Sequence, residues 1–396
     1  MASPAPRPRL HLRGVAWASL AAAAGIAIAC LWAHHLERRY IHALAPRMFD
    51  LKNQGVALQA EAFRQPDLLP LYGSSELVKD IPDSAAHFFK LYPTGFTVFP
   101  VGKAGASPLI MLQKLAAVGS ELRGKKVVIS ISPTWFFNRS IKPFYYAGNY
   151  SSLQAGEFIF SDQISPALKH DAARSMLAFP DTLKKTPVLA SAVSHLARHS
   201  WRDRTLYRLL RPLGLVEIAY LRIADHLQTL RYITHEHATA GLAAFTHRVP
   251  RTLDWPQLTA RATRDAFPEQ NLRAMRKGGD RNFLATLDRA KEWKSLELLL
   301  RGLREMGADT LLLTMPVNGT YFDEIGVTAE ARGTYYEKLH ALAARYQQPL
   351  IDFREYEDDP KFLVDTKDHL SVEGWMFYNQ ALDAFYHGHW PVPKDT

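Results

Sequence analysis

Two short segments carry side chains whose types fit nucleophilic catalysis, and they lie at opposite ends of the chain. The first is Tyr72-Gly73-Ser74-Ser75-Glu76-Leu77, directly after the apolar run Leu68–Tyr72. A small-residue turn at the C-terminal end of a buried strand exposes a side chain at the edge of a parallel sheet, where such folds place their sites. A serine there becomes a nucleophile when a base reaches it, and its own N–H can stabilise an oxyanion. The plain alternative is a turn with helix-capping serines. The second segment is Val364-Asp365-Thr366-Lys367-Asp368-His369-Leu370-Ser371-Val372-Glu373-Gly374-Trp375. A histidine with acids close by, after the last strand, is where a doubly wound hydrolase supplies its base; the acid fixes the imidazole tautomer and stabilises the imidazolium. Its plain alternative is a surface loop with Ser371 as a helix cap. Taken together, the two segments give the order serine first, then acid and histidine.

Other constellations are weaker. His235-Glu236-His237 and His387-Gly388-His389 lack the i, i+4 pairing that sets two histidines on one helical face, and no third ligand is evident, so no metal is expected. There is no phosphate-binding glycine loop and no nucleotide fingerprint, so no cofactor is expected. Basic residues with interleaved aromatics run from Arg202 to Arg211, but a membrane anchor argues against nucleic acid as a partner.

The elements that must position the two segments follow from hydrophobic patterning. Five short apolar runs read as buried strands: Leu68–Tyr72, Phe96–Val101, Lys126–Ser132, Thr310–Thr314 and Pro349–Phe353. Helical periodicity appears over Leu109–Leu122, Trp293–Met306 and Tyr335–Tyr346. Strands alternating with helices imply an α/β fold, a doubly wound and mainly parallel sheet with helices on both faces. From about Leu153 to Leu287 the alternation stops. Segments such as Leu183–Arg198, Trp201–Leu210 and Val216–Tyr232 read as a long helical insertion between the third and fourth strands, one that caps the sheet, lines a groove or touches a membrane partner.

The chain has 396 residues, enough for one large domain or two medium ones, and its 47% apolar and 22% charged residues exclude wholesale disorder. A net charge of +9 favours anionic partners, whether a lipid surface, a phosphate-rich polymer, an acidic protein or nucleic acid, without choosing among them. The single cysteine, Cys30, excludes an intramolecular disulfide framework and any multi-cysteine zinc site.

Cys30 lies in Gly14–Ala33, an uncharged stretch long enough to cross a bilayer as a helix, with Trp17 and Trp32 near its ends. The Ala27-Ile28-Ala29 triplet has the form of a signal-peptide cleavage site and precedes a cysteine, as in lipoproteins. The apolar run continues past it, which suits an uncleaved anchor better. Residues 1–13 form a short tail carrying Arg7, Arg9 and Arg13. Arg38, Arg39, Arg47 and Lys52 follow the span, so the flanking charge does not choose an orientation. The organisation expected is tail, anchor over 14–33, and a domain over 40–396.

Several blocks together resemble the DltD family of D-alanyl transfer proteins. They are Gly73-Ser74-Ser75-Glu76-Leu77, Ile131-Ser132-Pro133-Thr134-Trp135-Phe136, Met315-Pro316-Val317-Asn318-Gly319, and His369-Leu370-Ser371 with Gly374-Trp375. Ser152-Leu153-Gln154-Ala155, Glu157-Phe158 and Glu292-Trp293 add to the match. The resemblance covers essentially the whole chain, anchor included. It implies a sheet of the SGNH-hydrolase type with one N-terminal transmembrane helix. It also implies a single-pass protein of the cytoplasmic (inner) membrane with its domain outside the cytoplasm. The implied activity is serine-dependent D-alanyl transfer onto an envelope polymer such as teichoic acid. The implied partners are a membrane-bound O-acyltransferase and a small acyl (D-alanyl) carrier protein. The rival readings are an esterase or thioesterase that removes acyl groups, and a non-catalytic docking subunit.

Roles carry over residue by residue. Ser75 matches the nucleophile of the family's Gly-Asp-Ser block, with Ser74 in place of the Asp. His369 matches the base. The usual acid stands three residues before the histidine, where this chain has Thr366. Asp365 and Asp368 are the alternatives, and Asp365 is preferred because neighbouring side chains in extended chain point to opposite sides. The oxyanion hole takes the N–H of Ser75 and a glycine after the second strand, Gly105 or alternatively Gly102. Where SGNH hydrolases have an Asn, this chain has Ser132-Pro133-Thr134-Trp135, which suits an acceptor other than water. Ser74, Thr134 and Trp135 are the expected walls of the substrate site, with Phe136 as a further wall or as core.

Overall fold

Parallel pairing in the order β2-β1-β3-β4-β5 joins five strands into one sheet. They are β1 (Leu68–Gly73), β2 (Thr97–Gly102), β3 (Lys126–Ile131), β4 (Asp309–Thr314) and β5 (Leu350–Ile351). The structure is a computed structural model and describes residues 8–198, 200–240, 249–265, 279–365 and 369–389. All five expected strands are present, the fifth cut to two residues.

Alternate strand residues enter opposite layers, as pleating requires. Tyr72, Phe99, Val127, Ile129, Ile131 and Leu312 join one buried cluster with the helices Pro108–Val118 and Glu292–Met306. Leu69, Leu71, Val98, Val128, Leu311 and Leu313 join the other with the helices Ala85–Leu91 and Val372–His387. Both faces are thus covered, which explains why the strands read as unbroken apolar runs rather than alternating ones. Each buried Leu or Val contributes about 1.5–3 kcal/mol. In strand order the chain leaves β1 for β2 on one side and returns to β3 on the other. The crevice beyond the C-terminal ends of β1 and β3 is therefore the topological switch point.

Between β3 and β4 the regular elements among the described residues are all helices, and two details differ from the sequence reading. The expected helix Leu183–Arg198 is two, Pro180–Leu183 and Pro187–Arg198, because Pro187 starts a new helix at its first turn. Conversely, the two segments expected over Trp201–Leu210 and Val216–Tyr232 are one helix, Trp201–Ala240, which runs through Pro212. Packing holds the turns on either side of that proline. Tyr207 donates to the Ile159 carbonyl at 2.8 Å, Arg211 pairs with Asp162, and Ile218 packs on Gly156. Tertiary contacts override the local cost of proline.

At the N-terminus a single helix, Pro8–Leu44, includes a stretch apolar enough to cross a membrane, with a mean hydropathy of 2.0. Residues Leu12 to Ile28 are exposed, whereas Ala33, Leu36, Glu37, Tyr40, Ile41 and Leu44 are buried against the rest of the protein. Span and domain therefore share one continuous helix.

Candidate active site

The backbone turns sharply after β1. Ser74 N–H donates to Glu76 Oε1 at 2.8 Å, and a Cβ at Gly73 would sit 2.2 Å from that oxygen, so glycine is required there. Ser75 then opens a short 3-10 turn, Ser75–Leu77, and the Lys79 N–H closes back on the Ser75 carbonyl at 3.1 Å. This sets Ser75 at the switch point and aims Lys79 in the same direction.

At the other end of the chain, Val364 N–H donates to the His369 carbonyl at 2.9 Å, and Leu363 bridges Leu370 antiparallel. The loop between is thereby closed, and Asp365 and His369 stand at its two feet. Ser371 caps the following helix, accepting from Gly374 N–H at 3.2 Å, which anchors the histidine's C-terminal side.

These two pieces meet. Ser75 Oγ lies 2.9 Å from His369 Nε2, and His369 Nδ1 is hydrogen-bonded to Asp365 Oδ2. Lys79 Nζ reaches the same Asp365 oxygen at 2.8 Å. Burial by itself would raise the Asp365 pKa. The hydrogen bonds from His369 and Lys79 outweigh it and hold the carboxyl well below the usual carboxylate range. An ionised carboxylate only accepts, so Nδ1 carries the proton and the Nε2 lone pair faces the Ser75 hydroxyl. A chain arranged this way can move a proton from Oγ to Nε2 as Oγ attacks an acyl carbon. Asp368, the alternative acid, lies outside the described residues.

Ser75 and His369 open into a cavity of about 860 Å³. Ser74, Thr134, Trp135 and Gly105 line it, as do Arg139, Lys142, Tyr145, Tyr321 and Phe322. Gly105 has φ +76°, and a Cβ there would run into the Tyr145 ring at 2.3 Å. Gly102 is not among the lining residues; its N–H donates to Asn53 Oδ1 at 2.9 Å. Phe136 is core, fully buried and stacked on Trp293 at 3.9 Å. Glu292 lines the cavity while nearly fully buried, and burial pushes its carboxyl up. A larger cavity of about 1260 Å³ lies along the β2 edge, but neither Ser75 nor His369 lines it.

Buried side chains behind the walls explain several of the quoted blocks. Gln154 Nε2 donates to the carbonyls of Asn53 (3.1 Å) and Gly55 (2.9 Å), steadying the segment that receives Gly102. Asn318 caps the helix Gly319–Glu324, accepting from Tyr321 N–H at 2.9 Å, and so aims Tyr321 and Phe322 at the cavity. Thr134 Oγ1 lies 2.7 Å from Ser132 Oγ. Lys79, Arg139, Lys142 and Tyr145 were not singled out from the sequence. Lys79 carried one signal, a cation on the turn opened by the candidate nucleophile; Arg139, Lys142 and Tyr145, in a loop and the helix Pro143–Asn149 that follows it, belong to no motif. Among the described residues no group of three His, Cys, Asp or Glu is placed to hold a metal ion, and Glu236 pairs instead with Arg47 at 2.6 Å.

Comparison with known proteins agrees with this architecture. Residues 45–387 match the family model described as DltD protein. The chain is 30% identical over 365 residues to Protein DltD of Bacillus subtilis (strain 168), covering 87% of this chain and 88% of that one. It is 23% identical over 347 residues to Protein DltD of Staphylococcus aureus, covering 86% of each. With Protein DltD of Lacticaseibacillus rhamnosus it shares 22% over 351 residues, 84% of this chain and 80% of that one. A match of this extent decides the family: the chain belongs to the DltD proteins, which take part in the D-alanylation of teichoic acids.

Proposed function

We propose that this protein is a serine acyltransferase that moves D-alanyl groups onto an anionic cell-envelope polymer, from a domain held outside the cytoplasm by its N-terminal span. The observation that carries the reading is Ser75 Oγ at 2.9 Å from His369 Nε2, with Asp365 on the other ring nitrogen. In the first half-reaction Ser75 Oγ attacks the carbonyl of an activated D-alanyl ester or thioester. His369 Nε2 takes the hydroxyl proton and passes it to the departing oxygen or sulfur, leaving an acyl-serine. In the second, a polymer hydroxyl attacks that ester, His369 takes its proton, and the proton returns to Ser75 Oγ as the bond to serine breaks. Ser75 N–H and Gly105 N–H are the donors this reading assigns to the oxyanion. Asp365 positions the imidazole and balances its charge. Arg139 and Lys142 give the cavity a cationic wall that suits a polyanionic acceptor. A membrane-bound O-acyltransferase and an acyl carrier protein are the partners this reading calls for, since one span cannot carry an acyl group across a bilayer.

Replacing Ser75→Ala tests the reaction. D-alanine ester on the envelope polymer is expected to fall to background while the protein remains membrane-bound with an unchanged melt; normal ester levels would overturn the reading. Assaying purified protein on ester and thioester donors, with and without a polymer acceptor, separates transfer from plain hydrolysis. A cysteine placed at exposed Asp181 in a Cys30→Ala background reports topology. Labelling of intact inner membranes by an impermeant thiol reagent is expected, and labelling only after their lysis reverses the orientation.

A further inference from the structure

One face of the helix Trp201–Ala240 is apolar and uncovered. Leu206, Leu209, Leu213, Val216 and Tyr220 recur at three- and four-residue spacing, which sets them in one stripe. All five are exposed, with Leu209, Val216 and Tyr220 at 68%, 69% and 70%. The stripe is roughly 20 Å long at 1.5 Å per residue. The same turns are also apolar on their inner side, where buried Ile218 packs on Gly156 and Gly214 on Phe160. A helix apolar on opposite faces has either a protein interior or a bilayer around it.

Its position decides between these. His226 Nδ1 lies 2.8 Å from Glu37 Oε1, and Glu236 Oε2 lies 2.6 Å from Arg47 Nη1, the same number of residues further on in each segment. Around these two pairs the anchor helix and the helix Trp201–Ala240 run side by side in the same direction, and they part before the span, since Leu12 to Ile28 of the anchor helix are exposed. Going back from His226 towards Trp201 is going back from Glu37 towards the apolar span. The stripe thus begins at the level where the anchor helix loses its protein neighbours and becomes exposed, near Cys30 to Trp32. The ends fit the same surroundings. Trp201 and Tyr220, residue types that favour the water–lipid boundary, bracket the stripe. Arg202, Arg204 and Arg208 beside it, and Arg38 and Arg39 on the anchor helix, are exposed cations of the kind that anionic headgroups attract.

We propose that the stripe from Leu206 to Tyr220 seats in the outer boundary of the lipid bilayer, so that the domain touches the membrane at a second place besides its span. The contact is interfacial rather than spanning, since the helix's other face stays on the protein core. Two attachments fix the tilt of the domain on the membrane, which a single helix does not, and so fix the height of the Ser75 cavity above the surface.

The test uses the full-length chain in vesicles of phosphatidylglycerol and phosphatidylethanolamine with no other protein present. In a Cys30→Ala background, an environment-sensitive fluorophore is attached at Leu213→Cys, at Leu209→Cys and, as control, at the exposed Gln228→Cys. At the first two positions the emission is expected to shift to the blue, to be quenched by spin-labelled acyl chains, and to resist aqueous iodide. At Gln228 the pattern is expected to reverse. Iodide quenching with no lipid quenching at both stripe positions overturns the proposal. So does protection that appears only after a second membrane protein is added, which would give this face to a protein partner. None of these readouts depends on turnover, so failure here leaves the acyl-transfer reading standing or falling on its own assay.

Discussion

Asp365 accepts two hydrogen bonds at one oxygen, from His369 Nδ1 and, at 2.8 Å, from Lys79 Nζ. Lys79 stands on the turn that Ser75 opens, so the segment carrying Ser75 also holds the carboxylate that pairs with His369. The two segments that carry Ser75 and His369 are thereby tied to each other twice, through Ser75–His369 and through Lys79–Asp365.

The tie predicts how the acid behaves. Asp365→Asn is expected to lower D-alanyl transfer by about 10⁴ with the fold retained, the loss seen when a serine triad loses its acid. Asp368→Asn is expected to stay near the parent rate. The stability effect has a definite sign. Asp365 has a folded pKa below the ordinary 3.8, so its ionisation stabilises the fold above that pH and ceases to do so as the pH falls below it. Melts of parent and Asp365→Asn should differ at neutral pH and converge on acidification. A dead Asp368→Asn beside an active Asp365→Asn would reverse the assignment.

Strands were legible because a sheet covered on both faces needs residues such as Val127, Val128 and Ile129 in unbroken runs, and such runs are read directly. Ser75 was singled out because it follows a strand end, where this fold class exposes side chains, and His369 because acids flank it after the last strand; the structure brings the two within hydrogen-bond distance. Lys79 was not, since its role exists only once Asp365 arrives from the far end of the chain. The uninterrupted helix Trp201–Ala240 was not either. Pro212 is a local break signal, and what overrides it, the packing of Ile218 and Gly214 on the helix Ser152–Phe160, is long-range. Phe136, open between wall and core, was decided by its stacking partner Trp293.

Gly105→Ala is expected to harm the site more than the fold. At φ +76° an alanine is strained by about 1 kcal/mol or more, and its Cβ would displace the Tyr145 ring. Tyr145 is partly exposed on the cavity wall, so it can move at modest cost. Transfer rate should therefore drop at least tenfold while the melting temperature falls by only a few degrees. A variant with full activity would remove Gly105 from the oxyanion assignment.

Arg332 is the buried guanidinium that fixes the far wall. It donates to Asp323 Oδ1 at 2.5 Å, to the Val327 carbonyl at 2.7 Å and to Glu357, holding the helix Gly319–Glu324 that carries Tyr321 and Phe322. Arg332→Met leaves Glu357 buried without its partner, at a cost of about 3–5 kcal/mol. Adding Glu357→Gln should recover much of that loss, because it removes the stranded charge. Denaturant titration of the single and double variants measures the coupling, and additive losses would contradict it.

Lys114 offers a test of pH dependence away from the chemistry. It lies on the helix Pro108–Val118, 1% exposed. Burial, with a smaller contribution from the charge of Lys103, pushes its pKa down to about 7 from the usual 10.5. Between those values the unfolded chain holds a proton that the folded chain does not. Unfolding therefore takes up a proton there, and stability rises with pH across this window. Below about 7 the folded protein carries the buried charge and its full penalty. Lys114→Met keeps the length of the side chain and removes the charge, so it should stabilise the protein most at pH 6 and least near pH 10. Unfolding by denaturant at those two pH values measures the gap. A gain independent of pH would mean that packing of the methionine is responsible, and a loss at pH 6 would mean that the ammonium is held by partners worth more than its desolvation.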